Sequence, residues 1–501
     1  MLFGMTLASC TGNFEDYNTN HYQMSELPPA SLLKPMIENI VNVQQNASQM
    51  QDQMVGTLGG YFTLSNRWGG QNFDTFNQSD GWNASLWNSA YTGVYGNYFK
   101  VAESTHSSGH YFAMARLVRA MVMFRVTDCY GPMPYTKIAD GDFYVAYDSH
   151  EEVYKAIIDD CLNASNSLYN YAVNTGGDKP LGTNDPIYEG DYTKWARLAN
   201  CIALRAAIRV STAYPELAQE TIKQVYASQA GLITANEDNA YMDCGTQTNP
   251  YYIASSIWGD LRVNASIVDY MQGYNDPRMG KYFHKSTFSG RTNEYIGMRS
   301  GTANFVKDDV KNYSMPNVDT KSKLMVYCAA ETSFLQAEAK LRFGLGSESV
   351  EHYYENGIRL SMEQHGVSAD TYITDNTSVP NGHSNDPRGS KLNYTVNSKI
   401  TIAWQENATM EQKIERIITQ KWIANYPLGI EAWAEFRRTG YPELFPCIDN
   451  LSTCVTDKAR GMRRLRYPYT EGQTNNANYQ AGVALLGGAD NEATELVWGK
   501  K

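Results

Sequence analysis

The segment "IITQKWIANYPLGIEAWAEFRRTGYP" (residues 417–442) reads as the end of one helix and the whole of a second. In the wider run 410–425, Ile414, Ile417, Ile418 and Trp422 fall on one stripe of a 3.6-residue period, so this part predicts a helix with an apolar face. In the part that follows, Trp433 and Phe436 anchor a second helix, Gly440 suits a left-handed C-terminal cap, and Pro442 prevents continuation. Arg437 and Arg438 stand in its last turn. They are placed either to hydrogen-bond the last carbonyls or to pair with Glu431 or Glu435, and we read them as architectural.

The same periodicity extends outward. "ARLVRAMVMFRV" (115–126), "WARLANCIALRAAIRV" (195–210) and "AAETSFLQAEAKLRFG" (329–344) each carry an apolar helical stripe, the last with Gly344 as its stop. Arg116, Arg119, Arg205 and Arg209 lie on these helices and are expected to pair across them. "YGPMPY" (130–135) predicts a rigid turn, with Pro132 and Pro134 holding an extended path after a helix that ends near Cys129. Between the helices run aromatic, Asn/Gly-rich loops at about 59–86, 240–330 and 370–400, longer than a helical bundle requires. The pattern predicts a mostly α fold, helix pairs carrying large insertions. It shows no clean 34-residue period and does not by itself establish a repeat.

Composition narrows the function. Among 501 residues, 42% are hydrophobic and 19% charged, enough for a large core, and the net charge of −11 argues against a nucleic-acid footprint. The basic run "KARGMRRLR" (458–466) is read as a buried or paired set. No apolar stretch after Cys10 is long enough to span a bilayer. Eight cysteines without a C-x-x-C pair disfavour a zinc or redox framework. Cys447 and Cys454 are spaced either to close a small loop or to remain free thiols. The sequence has no Walker loop, nucleophile elbow or H-E-x-x-H motif. His106 and His110 in "HSSGH" read as a solvated pair in an inter-helix turn. Acidic runs at 237–239 and 307–312 are of a type that holds a structural calcium but lack the EF-hand pattern, so no cofactor is expected.

Taken together, the 417–442 run, "YGPMPYT" (130–136), "WARLANCIALRAAIR" (195–209), "NDPRM" (275–279), "FLQAEAKLR" (334–342) and "RRLRYPYTEGQTNNANYQAGVA" (463–484) resemble the SusD/RagB family of nutrient-binding outer-membrane lipoproteins. The last segment departs from the family at Arg466, where proline is usual. The resemblance covers roughly 31–490. It implies a tetratricopeptide-like helical scaffold with a few short strands. It also implies a cell-surface lipoprotein that delivers oligosaccharide to a TonB-dependent transporter of the SusC type, without catalysis. A peptide-binding lid of the same type and a surface glycoside hydrolase are the alternatives, since carboxylates are plentiful and their spacing in space is invisible here. In this light "LASC" (7–10) reads as a lipobox: 1–9 is the remnant of a signal peptide, Cys10 takes the lipid, 10–30 is a tether, and 31–501 is one domain.

Ligand candidates come from the loops. The chain holds 36 Tyr, 16 Phe and 9 Trp. Sugar rings offer apolar C–H faces to aromatic rings and hydroxyl rims to polar groups, so interleaved aromatic and polar residues suit them. "SNRWGGQNFDTFNQSDGWNASLWNSAY" (65–91) has that character, and Trp68, Asn72, Phe73, Asp74 and Trp82 are its candidates. Trp87 and Tyr91 begin a helical pattern and are assigned to the core. A second set is Trp258, Tyr274 and Tyr282, with Phe283 and Tyr295 nearby, whereas Arg278 after Asp276 is read as structural.

Overall fold

A computed structural model describes residues 27–500, so Cys10, the lipobox and most of the tether lie outside the described residues. The first element is α1 (Pro29–Ile37). Pro29 opens it, because its fixed φ suits a first helical turn and its missing N–H is not needed there.

Helices then follow in packed succession: α2 (Asp80–Ser104), α3 (Gly109–Tyr130), α4 (His150–Asn174), α5 (Tyr192–Arg209) and α6 (Pro215–Ala227), each against the one before, with α1 across α2 and α3. Their starts are defined locally. Ser79 caps α2 through Trp82 N–H, Ser149 and Glu152 form a reciprocal capping box on α4, and Asp191 accepts from Thr193 and Lys194 at the start of α5. The second half holds α7 (Ala265–Gly273), α8 (Ala329–Phe343), α9 (Val350–Gln364), α10 (Met410–Ala424), α11 (Gly429–Thr439) and α12 (Asn476–Leu486). Gly344 and Gly440 take the left-handed caps expected of them, at φ 70° and 82°. Gly429 shows why the opening stretch is so constrained: a Cβ there would lie 2.4 Å from Gly56 Cα, so α11 seats directly on the backbone of 56–59.

Strands are few and short. β1 (Phe62–Leu64) pairs antiparallel with β3 (Leu261–Val263), Phe62 opposite Val263 and Leu64 opposite Leu261. β2 (Ala240–Met242) pairs with β4 (Leu324–Tyr327). A single apolar core runs through the helices, and a small satellite core of Ile296, Met298, Phe305, Val310 and Tyr313 supports the 288–313 loops.

The helices are cross-linked by buried charge. Arg209 on α5 reaches Asp128 on α3 (3.1 Å) and both Glu431 and Glu435 on α11. Arg205 grips Glu331 on α8 with two bonds of 2.7 Å. Arg438 joins Glu435 to Glu338 of α8, and Lys421 of α10 lies between Glu431 and Glu435 at 3.4 Å from each. With Arg342 on Glu338, five positive charges face five negative ones, so the charges within this network balance. Burial opposes ionisation of Glu431 and Glu338, yet the surrounding cations hold both down to about 2. Arg116 and Arg119 share Asp160 of α4 in the same manner. Arg437 instead donates to the carbonyls of Trp433, Asp128 and Arg463, so Arg438 pairs with Glu435 as expected while Arg437 binds neither a glutamate nor the last carbonyls of its own helix.

Far from this network, the imidazole of buried His383 lies between Asp269 of α7 (2.7 Å) and Asp386 (2.8 Å). Desolvation works against the imidazolium, but hydrogen bonds to the two carboxylates raise its pKa to about 9. A folded-state pKa above the unfolded value near 6.5 gives stability that is complete below pH 6.5 and lost as pH rises through about 9. His383→Gln should therefore lower the urea midpoint clearly at pH 6 and much less at pH 10; an equal effect at both would contradict an imidazolium here.

Candidate functional site

Trp68 and Trp258 are 190 positions apart in the sequence, and both lie a few residues beyond the paired ends of β1 and β3. The chain leaves β1 at Leu64 and enters β3 at Leu261, so the segments 65–68 and 257–260 emerge side by side. Ser65 N–H donates to Asp260 O at 2.9 Å and the Ser65 hydroxyl to Gly259 O at 2.9 Å. Asp260 then gathers polar side chains around its carboxylate: Asn66 Nδ2 at 3.0 Å, Gln49 Nε2 at 3.3 Å and the ammonium of Lys307.

Aromatic surface lies beside this polar cluster. Trp68 is half-buried and meets Trp82 edge-to-face, centroids 5.4 Å apart at 86°. Trp82 stands in the first turn of α2, its backbone N–H on the Ser79 cap, so a rigid helix start positions it. Trp68 itself has φ 38°, followed by Gly69 at 76° and Gly70 at 95°. A bulky residue held in the left-handed region is strained, and strain of this kind collects where a side chain must point a particular way. Trp258 follows a π-helical turn (Ile253–Ile257) and is 39% exposed, with Ile257 beside it at 62% and Val306, next to Lys307, at 64%.

The other loop candidates are placed differently. Phe73 is fully buried in the core and has no face left for a ligand. Asn72 and Asp74 are also buried. Beyond a short 3-10 turn at Trp68–Gly70 and a few backbone turns, the loop has little regular structure to satisfy its backbone, so its own polar side chains supply further partners. Asp74 accepts from Leu64 N–H at 2.8 Å, Asn72 Nδ2 reaches Asn66 O, and Asn77 accepts from Asn72 N–H and the Thr75 hydroxyl. Burial raises the Asp74 carboxyl to about 6, partly offset by the Leu64 bond. The polar interleaving read as a sugar rim is here the internal scaffolding of the loop. Correction of those three positions leaves Trp68 and Trp82 from the first set.

The second set divides as well. Trp258 is on the surface just described. Tyr274 is 1% exposed with its hydroxyl on Ile400 O at 3.0 Å, a helix-end anchor rather than a contact surface. Tyr282 is buried, bonded to Ile423 O, and lines a separate pocket. Trp87 is buried as assigned, and Tyr91 packs half-buried against it. Arg278 pairs with Asp276 inside the core. Cys447 and Cys454 are both free thiols. Asn66, Asp260, Lys307, Ile257 and Val306 were not among the sequence candidates, because it takes the β1–β3 register to bring 257–260 to 65–66 and the Lys307–Asp260 pair to bring 306–307 to them.

The described residues contain no helix long and apolar enough to cross a membrane and no group of three or more His, Cys, Asp or Glu side chains placed to hold a metal ion. Comparison with known proteins was then informative. The family model described as "SusD-like: Susd and RagB outer membrane lipoprotein" matches residues 13–499. No curated protein matches the chain. Among solved structures, a SusD-like protein from Bacteroides thetaiotaomicron is 37% identical, with a TM-score of 0.90 over 95% of this chain and 99% of that one. A SusD homologue from Bacteroides uniformis is 36% identical at TM-score 0.88, covering 94% and 99%. A chitin-binding SusD homologue from Flavobacterium johnsoniae is 34% identical at TM-score 0.89, covering 94% and 98%.

Proposed function

This chain belongs to the SusD-like family of outer membrane lipoproteins, and on that premise we propose that it binds an oligosaccharide nutrient at the cell surface and passes it to a SusC-like, TonB-dependent transporter. One observation supports the reading: at the paired ends of β1 and β3, where Asn66 and Lys307 bond Asp260, Trp68 meets Trp82 edge-to-face and Trp258 stands exposed three residues before β3. Indole faces cover sugar C–H surfaces, and the amide, carboxylate and ammonium groups receive the hydroxyls that binding strips of water. The chitin-binding homologue supports a glycan as cargo. Cys10 would carry the lipid that holds the protein to the outer membrane, and Cys10→Ala should move it from the membrane to the soluble fraction; continued membrane association would contradict the anchor.

Isothermal titration against a panel of oligosaccharides, with chromatography of the mixture afterwards, tests the function. Saturable heat with unchanged sugar is the expected result. Released product would make the protein a glycoside hydrolase, and heat from peptides alone would make it a peptide-binding lid.

A further inference from the structure

Arg262 is the middle residue of β3 and stands opposite Thr63 of β1. Side chains alternate along a strand, so Leu261 and Val263 turn to one face and Arg262 to the other. Arg262 is 3% exposed, and among the described residues it forms no ion pair. Its hydrogen bonds all go to backbone carbonyls. Nε and Nη2 donate to Lys311 O at 3.2 and 3.0 Å, and Nη1 to Ser255 O at 3.1 Å and Leu261 O at 2.7 Å. Burial lowers its pKa to about 10, so the guanidinium is still charged at neutral pH. A buried cation without a bonded carboxylate costs more than an apolar side chain would in the same place. What sets this one apart is what it joins.

Ser255 lies in the π-helical turn Ile253–Ile257, and Trp258 ends that turn with its N–H on Ile253 O at 2.8 Å. Asp260 N–H closes the same turn on Ala254 O at 2.7 Å. Lys311 ends the short helix Lys307–Val310, whose first residue brings its ammonium to Asp260. The guanidinium therefore bridges the segment that carries Trp258 and the segment that carries Val306 and Lys307. Gly259 shows how closely they pass. It takes φ 70°, and a Cβ there would lie 3.4 Å from Lys307 Cε and 3.7 Å from Arg262 Nη2.

A planar fork with donors in fixed directions can hold carbonyls from two segments at once, whereas a lysine ammonium is a point charge on a flexible stem. We propose that Arg262 is a positioning residue of the oligosaccharide surface: its guanidinium clamps the turn that presents Trp258 to the helix that presents Lys307. A surface fixed before its ligand arrives loses less conformational freedom on binding. This role rests on the reading of that surface as the glycan site.

Hydrogen exchange of the full chain, without sugar, reads the clamp directly. In Arg262→Lys the amides of 253–261 and 307–313 should exchange about tenfold faster while those of α4 and α5 keep their wild-type rates. Unchanged rates in 253–261, or a rise spread evenly over the chain, overturn the proposal. Arg262→Gln removes the buried charge together with the fork, and serves as the second variant should the lysine variant fail to fold. Isothermal titration with chitotriose, cellotriose and maltotriose then supplies a probe, the tightest binder of the three. Arg262→Lys should weaken it about tenfold, but less than about threefold where Trp258→Ala is already present, because most of the effect passes through Trp258. A full tenfold loss in both backgrounds would make Arg262 a general support of the fold and overturns the proposal. Binding that Trp258→Ala weakens and Arg262→Lys does not removes Arg262 alone. Binding of none of the three sugars removes the surface reading with it.

Discussion

Replacement of Arg209 by methionine is expected to destabilise the protein by about 3–5 kcal/mol, the usual cost of removing one partner from a buried ion cluster. Arg209 is fully buried and is the one cation that touches Asp128, Glu431 and Glu435 together. Methionine fills much of the same volume, so the loss is of charge rather than packing. Three carboxylates from α3 and α11 would then share a dry space with only Lys421, Arg205 and Arg438 at its edges. The measurement is the urea midpoint by circular dichroism, and an unchanged midpoint would show that the cluster contributes nothing net. The same cluster sets an acid limit. Folded-state pKa values of about 2 for Glu431 and Glu338, against an unfolded 4.5, mean stability that is full above pH 4.5 and lost as pH falls towards 2.

The second large effect is on binding. Trp68→Ala and Trp258→Ala should each weaken capture of a recognised oligosaccharide about tenfold, about 1.4 kcal/mol each. If the two act independently, the double variant should lose about a hundredfold. Neither residue is in the fully buried core, so far-ultraviolet dichroism and the urea midpoint should stay near wild type. Phe73→Leu supplies the contrast: it alters the core beneath the loop and should lower stability while leaving affinity within about twofold. Full affinity in the double tryptophan variant would remove the surface from consideration.

Much of the scaffold was readable from local pattern. Apolar stripes at helical spacing, together with Gly344 and Gly440, foretold helices and their ends, because period and cap chemistry are properties of neighbouring residues. The cross-helix role of Arg116, Arg119, Arg205 and Arg209 was also legible, since an arginine on the apolar side of a helix needs a counter-charge. The identity of those partners was not. Glu331, Glu431 and Asp128 are spread over 300 positions, and nothing in the order of residues joins them.

The candidate site was half visible. Sequence alone marked 65–91 and 250–300 as aromatic loops, and the resemblance carried by 417–442 determined the family and the kind of surface to seek. What it could not distinguish was a polar residue that faces solvent from one that replaces missing backbone bonds, so Asn72 and Asp74 looked the same as Asn66. Nor could it separate Trp68 from Phe73, since side-chain exposure in an irregular loop follows no period. Tertiary structure decided these points through two contacts. The three-residue pairing of β1 with β3 set Asp260 beside Ser65 and Asn66, with Trp258 and Trp68 a few residues beyond, and the Gly429–Gly56 approach set α11 directly on the backbone of 56–59. Composition and periodicity are short-range properties and specify the helices; a candidate surface built from segments nearly two hundred residues apart exists only once the chain has closed on itself.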